Sequence, residues 1–247
     1  MKKIKVLHMY ADMLDLYGDS GNMEVIRYRC AKRGIECEVD TYSVDSEKPD
    51  FTSYDMIYIG GGADLEQQHI SADLLKCREG IRAAYEGGTF LFLICGGYQL
   101  MGKYYRDADG NDIPGLELFD YYTVAPSSRR KRCIGNIVLR TEITGVPIEV
   151  VGFENHGGQT QGIKTPLGEV LYGNGNCSKS RYEGYFEKNV IATYMHGPCL
   201  SKNPELSDYM IGYCINRGAD EMQELEPLDD TLEKECRKVM LDRLLTK

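Results

Sequence analysis

The stretch that most constrains this chain is Leu91-Phe92-Leu93-Ile94-Cys95-Gly96-Gly97-Tyr98-Gln99-Leu100-Met101-Gly102. An apolar run climbs to a cysteine, two glycines follow, and an apolar-patterned segment then opens a helix. Strand, sharp turn and helix, with a reactive side chain at the turn, is the layout of a nucleophile elbow. Such a turn is tight, so its neighbours must be small, and Gly96 and Gly97 meet that need. The start of a helix also favours thiolate over thiol, and a backbone N–H just after the cysteine can serve a developing oxyanion. A free cysteine is most often a buried small hydrophobe, and this chain has nine. The strand before Cys95 and the helix signal after it are what single it out.

The chain up to that point alternates strand and helix. Ile4 to Tyr10 reads as a strand, 12–22 as a polar loop, Met23 to Arg33 as a helix stopped by Gly34, and Glu36 to Tyr42 as a second strand. Tyr54 to Ile59 is a third strand, ending in Gly60-Gly61-Gly62. Glu66 to Tyr85 has helical composition, Gly87-Gly88 closes it, and Thr89 to Leu93 leads into Cys95. This alternation predicts a parallel sheet with helices on both faces, and reactive groups in such sheets lie at the carboxyl ends of strands. Gly60–Gly62 and Cys95 both fall at such ends. The glycines are not a phosphate loop, because Gly-Lys-Ser/Thr is missing, so the chain offers no recognisable ATP site.

After Gly102 the character changes. Strand-like pieces at Leu118–Val124, Ile134–Thr141, Pro147–Phe153 and Val190–Met195 are separated by glycine-rich turns, which points to mixed or antiparallel pairing. Pro204 to Arg217 is a helix candidate, 219–230 an acidic linker, and Thr231 to Leu245 a charged amphipathic helix. With no clean boundary, a single domain over 1–247 is expected, with the helix at about 231–245 appended.

Charge and cysteine usage exclude some functions. A net charge of −9 argues against nucleic acid or an anionic membrane surface. No stretch is long and apolar enough for a membrane span. The start, Met1-Lys2-Lys3-Ile4, does not read as a signal peptide, so the cysteines are expected as reduced thiols in the cytoplasm. No Cys-x-x-Cys pair occurs and the four histidines show no i, i+4 spacing, which argues against zinc.

A cysteine nucleophile needs a proton acceptor that later protonates the leaving group. His8 lies inside the first strand and His69 in a polar helical stretch, which suits a core and a solvated residue respectively. His196 follows a strand and precedes Gly197-Pro198, which cannot continue the sheet. His156 follows another strand, in Glu154-Asn155-His156-Gly157-Gly158. His196 is the stronger candidate and His156 the alternative.

Three segments carry a resemblance: Ile94-Cys95-Gly96-Gly97-Tyr98-Gln99, Gly152-Phe153-Glu154-Asn155-His156-Gly157-Gly158 and Tyr194-Met195-His196-Gly197-Pro198. Together they resemble the cobyric-acid-synthase-like branch of class I glutamine amidotransferases. Leu16-Tyr17-Gly18-Asp19-Ser20-Gly21-Asn22 and the run from Ile59 to Gln67 add to it, and the likeness extends from the first strand to the last helix. The resemblance implies a flavodoxin-like α/β fold. In its chemistry Cys95 attacks the side-chain amide of L-glutamine, releasing ammonia through a thioester, and His196 acts as base and then acid. The Gly61 and Gly62 backbone and the N–H of Gly96 would line the oxyanion site. Arg132, in the family's Arg-x-x-Gly pattern, would hold the glutamine α-carboxylate, as a guanidinium matches a carboxylate bidentately; Arg129 and Arg130 are the alternatives. Within the branch the chain is similar to glutaminase subunits that form a heterodimer with a Mur-ligase-like partner (MurT in that family). That implies peptidoglycan synthesis, with D-glutamate of lipid II amidated to D-isoglutamine, and ATP and Mg on the partner rather than on this chain.

The sequence departs from the wider class in two places. Leu93 stands where many members have glycine, and Pro198 stands where a glutamate commonly orients the histidine. An orienting carboxylate for His196 is therefore expected from elsewhere, either Glu154 or the partner. The rival readings are a same-branch glutaminase serving another acceptor, such as a corrinoid, and a redox-sensing thiol protein on the same fold.

Overall fold

The computed structural model describes residues 2–127 and 132–246. Its centre is a six-stranded sheet. The strand β1 (Lys3–Met9) pairs in parallel with β2 (Glu36–Tyr42) and β3 (Met56–Ile59), and β3 with β4 (Phe90–Ile94). The helices α1 (Gly21–Lys32), α2 (Asp64–Lys76) and α3 (Arg78–Glu86) make the crossovers, and α4 (Gly96–Met101) follows β4. The segment read as one helix over 66–85 is thus two, broken at Cys77, whose N–H bonds back to Leu74 as a last-turn cap.

Short strands follow: β5 (Tyr104–Arg106), β6 (Asp112–Pro114) and β7 (Tyr122–Val124), then the long hairpin of β8 (Cys133–Thr141) and β9 (Ile148–His156). Next come β10 (Gln159–Gln161), β11 (Gly168–Tyr172), β12 (Tyr182–Glu183) and β13 (Tyr185–Glu187). The chain then makes β14 (Val190–Thr193), β15 (Met195–His196), α5 (Pro204–Asn216) and α6 (Thr231–Leu245). The sheet orders are β13-β14-β4-β3-β1-β2, β10-β7-β5-β6 and β12-β11-β8-β9-β15. The parallel sheet and the mixed second half agree with the sequence reading. The expected strand over 118–124 shrinks to its last three residues, and the single strand over 190–195 is two.

The central strands are apolar because both faces are covered. Every residue of β3, β4 and β14 is buried, each large side chain contributing roughly 1.5–3 kcal/mol. The last helix packs Met240, Leu241 and Leu244 on Val138, Val151 and Leu171 of the β8–β9–β11 face. The acidic segment before it is anchored, because the buried Arg29 of α1 pairs with Asp208 of α5 at 2.7 Å and with Asp230 at 2.6 Å.

Register places the site. Met9 lies opposite Ile59, Ile59 opposite Leu93, and Ile94 opposite Thr193. The loops after β1, β3, β4 and β14 therefore emerge side by side at one edge, the carboxyl end of a parallel sheet.

Candidate active site

Cys95 occupies the turn between β4 and α4 with φ 48° and ψ −96°, a strained backbone for a residue with a Cβ. Such a conformation persists only when its surroundings enforce it. The Cys95 N–H donates to Thr193 O at 2.9 Å and the Gly97 N–H to Gly60 O at 3.1 Å, so the neighbouring strand ends hold the elbow. Gly97 must be glycine, since a Cβ there would meet Ile59 O at 2.6 Å.

His196 arrives from the next loop. After Thr193 the chain leaves the parallel sheet and enters the antiparallel one, where Met195 pairs with Glu154 and His196 with Phe153. The imidazole is buried. Its Nδ1 lies 2.8 Å from Asp19 Oδ2, while Nε2, with no hydrogen-bond partner among the described residues, faces Cys95. Gly61 sits against all three groups. A Cβ on it would come within 2.5 Å of His196 Cε1, 2.9 Å of Asp19 Oδ2 and 3.1 Å of Cys95 Cβ. Burial lowers the pKa of His196, but its charge interactions with Cys95 and Asp19 and its hydrogen bonds to them outweigh it and push the ring up to about 10, a shift that favours the protonated imidazole.

Asp19 is the residue that sequence reasoning missed. It is fully buried in the loop after β1. Beyond His196, its Oδ2 accepts the Gly61 N–H at 3.0 Å and its Oδ1 the Gly197 N–H at 3.2 Å. The available signal was an acid in a polar loop at the carboxyl end of a predicted parallel strand. Glu154, which was expected to orient His196, serves elsewhere. It accepts the backbone N–H groups of Asn174 and Gly175 at 2.7 and 3.0 Å and lies 3.7 Å from His156 Nε2. Burial raises its pKa, but His156 and those N–H groups bring it below the ordinary carboxylate range.

The oxyanion expectation divides. The Gly61 N–H is committed to Asp19, so it is not available to a substrate oxygen. Gly62 and Gly96 are adjacent, and a Cβ on Gly96 would lie 3.2 Å from Gly62 N. Neither N–H donates to a protein group among the described residues. The Gly61–Gly62 peptide is also oriented from behind, since Leu16 N–H donates to Gly61 O at 2.9 Å. With that carbonyl turned towards the loop, the N–H of the same trans peptide points the other way.

Cys95 opens onto a cavity of about 700 Å³ lined also by Tyr17, Gly62, Gln99, Arg132, Asn155 and His156. Arg132 is exposed at this cavity, and it donates from Nε and Nη2 to Asn155 Oδ1 at 3.3 and 3.0 Å. Arg129 and Arg130 lie outside the described residues. His156, the alternative base, is stacked on Tyr194 with centroids 3.6 Å apart and bonds through Nδ1 to Gly158 O at 2.7 Å. It has no orienting contact with Asp19. His8 is buried in β1 and His69 is exposed on α2, as their settings suggested. Among the described residues no group of three His, Cys, Asp or Glu side chains could hold a metal ion, and no helix is long and apolar enough to cross a membrane.

Behind His196 lies a fully buried Glu183. It accepts the Tyr194 N–H at 2.6 Å and contacts Thr193 Oγ1 at 3.0 Å. Burial pushes its pKa up to about 8, against the downward pull of those two partners. An acid raised in the fold gives stability that is fully present below its unfolded pKa of 4.5 and is lost as pH rises through about 8. Glutamine can keep both contacts through one oxygen, since Oε1 accepts the Tyr194 N–H and the Thr193 hydroxyl alike. Urea unfolding of Glu183→Gln beside the parent at pH 5 and pH 8.5 is expected to show a variant that gains relative to the parent at the higher pH. A constant difference between the two proteins would contradict the neutral acid.

Comparison with known proteins gives a consistent result. The family model of the CobB/CobQ-like glutamine amidotransferase domain matches residues 5–204. The chain is 37% identical to the lipid II isoglutaminyl synthase (glutamine-hydrolyzing) subunit GatD of Staphylococcus aureus, over 98% of this chain and 97% of that protein. It is 34% identical to the subunit of the same name from Streptococcus pneumoniae, over 97% and 91%. Among solved structures it is similar in fold to a chain of PurLQS from Thermotoga maritima, with TM-score 0.53 and 17% identity, covering 87% of this chain and 96% of that one.

Proposed function

This chain belongs to the CobB/CobQ-like glutamine amidotransferases, and from that premise we propose that it is the glutaminase subunit of a lipid II isoglutaminyl synthase. The observation that carries the reading is the convergence of Cys95, His196 and Asp19 beside a cavity that also holds Arg132. Near-full-length similarity to two proteins of that name supports the choice of pathway.

In this mechanism Arg132 holds the α-carboxylate of glutamine and the side-chain amide reaches Cys95. The sulfur attacks the carboxamide carbon, and the N–H groups of Gly62 and Gly96 receive the oxyanion. Protonated His196 gives its proton to the departing nitrogen, so ammonia leaves and a thioester remains. The ring, now neutral, takes a proton from water as that water attacks the thioester, and glutamate is released. Asp19 holds the ring at Nδ1 throughout, keeping Nε2 towards the reacting atoms.

Amide synthesis needs an activated acceptor, and the sequence has no recognisable phosphate loop. The reading therefore assigns ATP, Mg and the D-glutamate carboxyl of lipid II to a Mur-ligase-like partner, MurT in related systems, in the cytoplasm. Ammonia is protonated in open water, so it passes between subunits along a sheltered route.

The test is to purify the chain with its Mur-ligase-like partner and supply L-glutamine, ATP, Mg and lipid II. Ammonia release and an amidated stem peptide are both expected. Ammonia release without amidation of lipid II would refute the acceptor and leave a glutaminase for a different one. No ammonia under any condition would refute the glutaminase itself.

A further inference from the structure

One contact chain runs from the substrate anchor to the imidazole, and the mechanism above does not use it. It begins at Arg132, whose Nε and Nη2 edge is spent on Asn155. Nη2 also donates to the Asn155 carbonyl at 3.3 Å. The remaining edge, Nη1, donates no hydrogen bond to a described protein group and is free to meet a carboxylate. Asn155 thus fixes which edge of the guanidinium faces the cavity.

The same amide reaches the other way. Asn155 Nδ2 donates to the Tyr17 hydroxyl. The Tyr17 ring stands edge-on to His196, with centroids 5.0 Å apart at 75°, and edge-on to Phe153 at 5.8 Å. Phe153 and Asn155 are two apart on β9, so they share a face, and His196 pairs with Phe153 across the ladder. Tyr17 therefore lies over the seam, its ring on the base and its hydroxyl on Asn155.

Tyr17 is 45% exposed and sits at φ 61°, ψ 21°, a left-handed conformation that a non-glycine residue seldom adopts. Its neighbours in the same loop do related work. Leu16 N–H orients the Gly61–Gly62 peptide, and Asp19 holds His196 Nδ1.

We propose that Asn155 and Tyr17 are positioning residues that couple the carboxylate anchor Arg132 to the catalytic imidazole. Asn155 sets the guanidinium and the tyrosine at once, and Tyr17 limits the tilt of the His196 ring. The inference rests on the glutaminase reading and deepens it. It implies that the two residues act on different kinetic constants. Tyr17 meets the base through its ring and has no bond to Arg132 among the described residues, so loss of its hydroxyl falls mainly on turnover. Asn155 meets Arg132 directly and the base through Tyr17, so it governs turnover and glutamine binding.

The experiment is steady-state ammonia release by the complex with its ligase partner, for the parent, Tyr17→Phe, Asn155→Ala and the double variant. Melting temperatures are measured alongside. Tyr17→Phe is expected to lower kcat about 5-fold with KM within about 2-fold, the scale of one lost hydrogen bond. Asn155→Ala is expected to lower kcat by a similar factor and to raise KM about 10-fold. The double variant is expected to have the kcat of Asn155→Ala, since both changes cut one chain. Singles whose kcat effects multiply in the double, or a Tyr17→Phe that moves KM alone, would overturn the coupling. So would a Tyr17→Phe indistinguishable from an active parent. A parent complex that releases no ammonia would overturn the glutaminase reading and this inference with it. Alkylation of Cys95 by iodoacetamide supplies a readout without any carboxylate. Slower reaction in Tyr17→Phe at unchanged melting temperature supports the coupling to the imidazole, and an unchanged rate refutes it.

Discussion

Replacing Cys95 by alanine is expected to lower ammonia release by about 10⁴-fold or more, to the limit of detection. In the proposed thioester route the sulfur is the attacking atom, and both proton transfers of His196 depend on that attack. Alanine fits the elbow, since it needs no more space than the cysteine Cβ, and the hydrogen bonds that hold the turn come from the Cys95 backbone and Gly97. The fold and Arg132 are left in place, so glutamine binding measured by calorimetry should survive within a few-fold. Loss of binding together with loss of turnover would mean that the sulfur has a structural role. Residual turnover within about 10-fold of the parent would remove Cys95 as nucleophile.

Asp19→Asn is expected to lower kcat by about 10²–10⁴-fold with little change in KM, because Asp19 does not line the cavity. The carboxylate accepts on both oxygens: Oδ2 from Gly61 N–H and from His196 Nδ1, Oδ1 from Gly197 N–H. An amide has one oxygen, so its NH2 must face one of these donors. If it faces the ring, it favours the wrong tautomer; if it faces Gly197, a buried N–H loses its acceptor. In either arrangement the negative charge that helps to hold the ring protonated is lost. The alkaline limit of kcat, expected in the parent near the His196 value of about 10, should therefore move to lower pH in the variant. A variant with kcat within about 3-fold of the parent and an unmoved pH profile would show that Asp19 only supports the loop.

The first half of the chain was legible because its signals are periodic. Apolar strands alternate with helices long enough to show their pattern, and Phe90–Ile94 with Cys95-Gly96-Gly97 is a local signature that needs no distant partner. His196 could be read for the same reason, as a polar residue at the end of an apolar strand. Asp19 could not be ranked among the acids of its loop, because its role exists only through contacts with Gly61, His196 and Gly197. Glu154 looked suitable from its nearness in sequence to a motif histidine, and it lies opposite Met195 in the ladder. Its side chain turns to the 174–175 turn instead. Gly61 and Gly62 read alike in sequence, but one N–H meets a carboxylate and the next does not. The strands β5, β6, β10, β12 and β13 are two or three residues long, too short for alternation to show.

The place of β14 in the central sheet has a consequence for the life of the chain during synthesis. It lies between β13 and β4, yet it is among the last strands to be made. Until Val190–Thr193 has left the ribosome, the run Phe90–Ile94 is an open sheet edge of five apolar residues, the kind that pairs with other chains. The strand that closes this edge is followed at once by His196. On the proposed mechanism, protection of the nascent core and pairing of the thiol with its histidine are therefore one event. A chain broken off before residue 190 would be prone to aggregate and would lack His196, so unfinished copies are expected to release no ammonia.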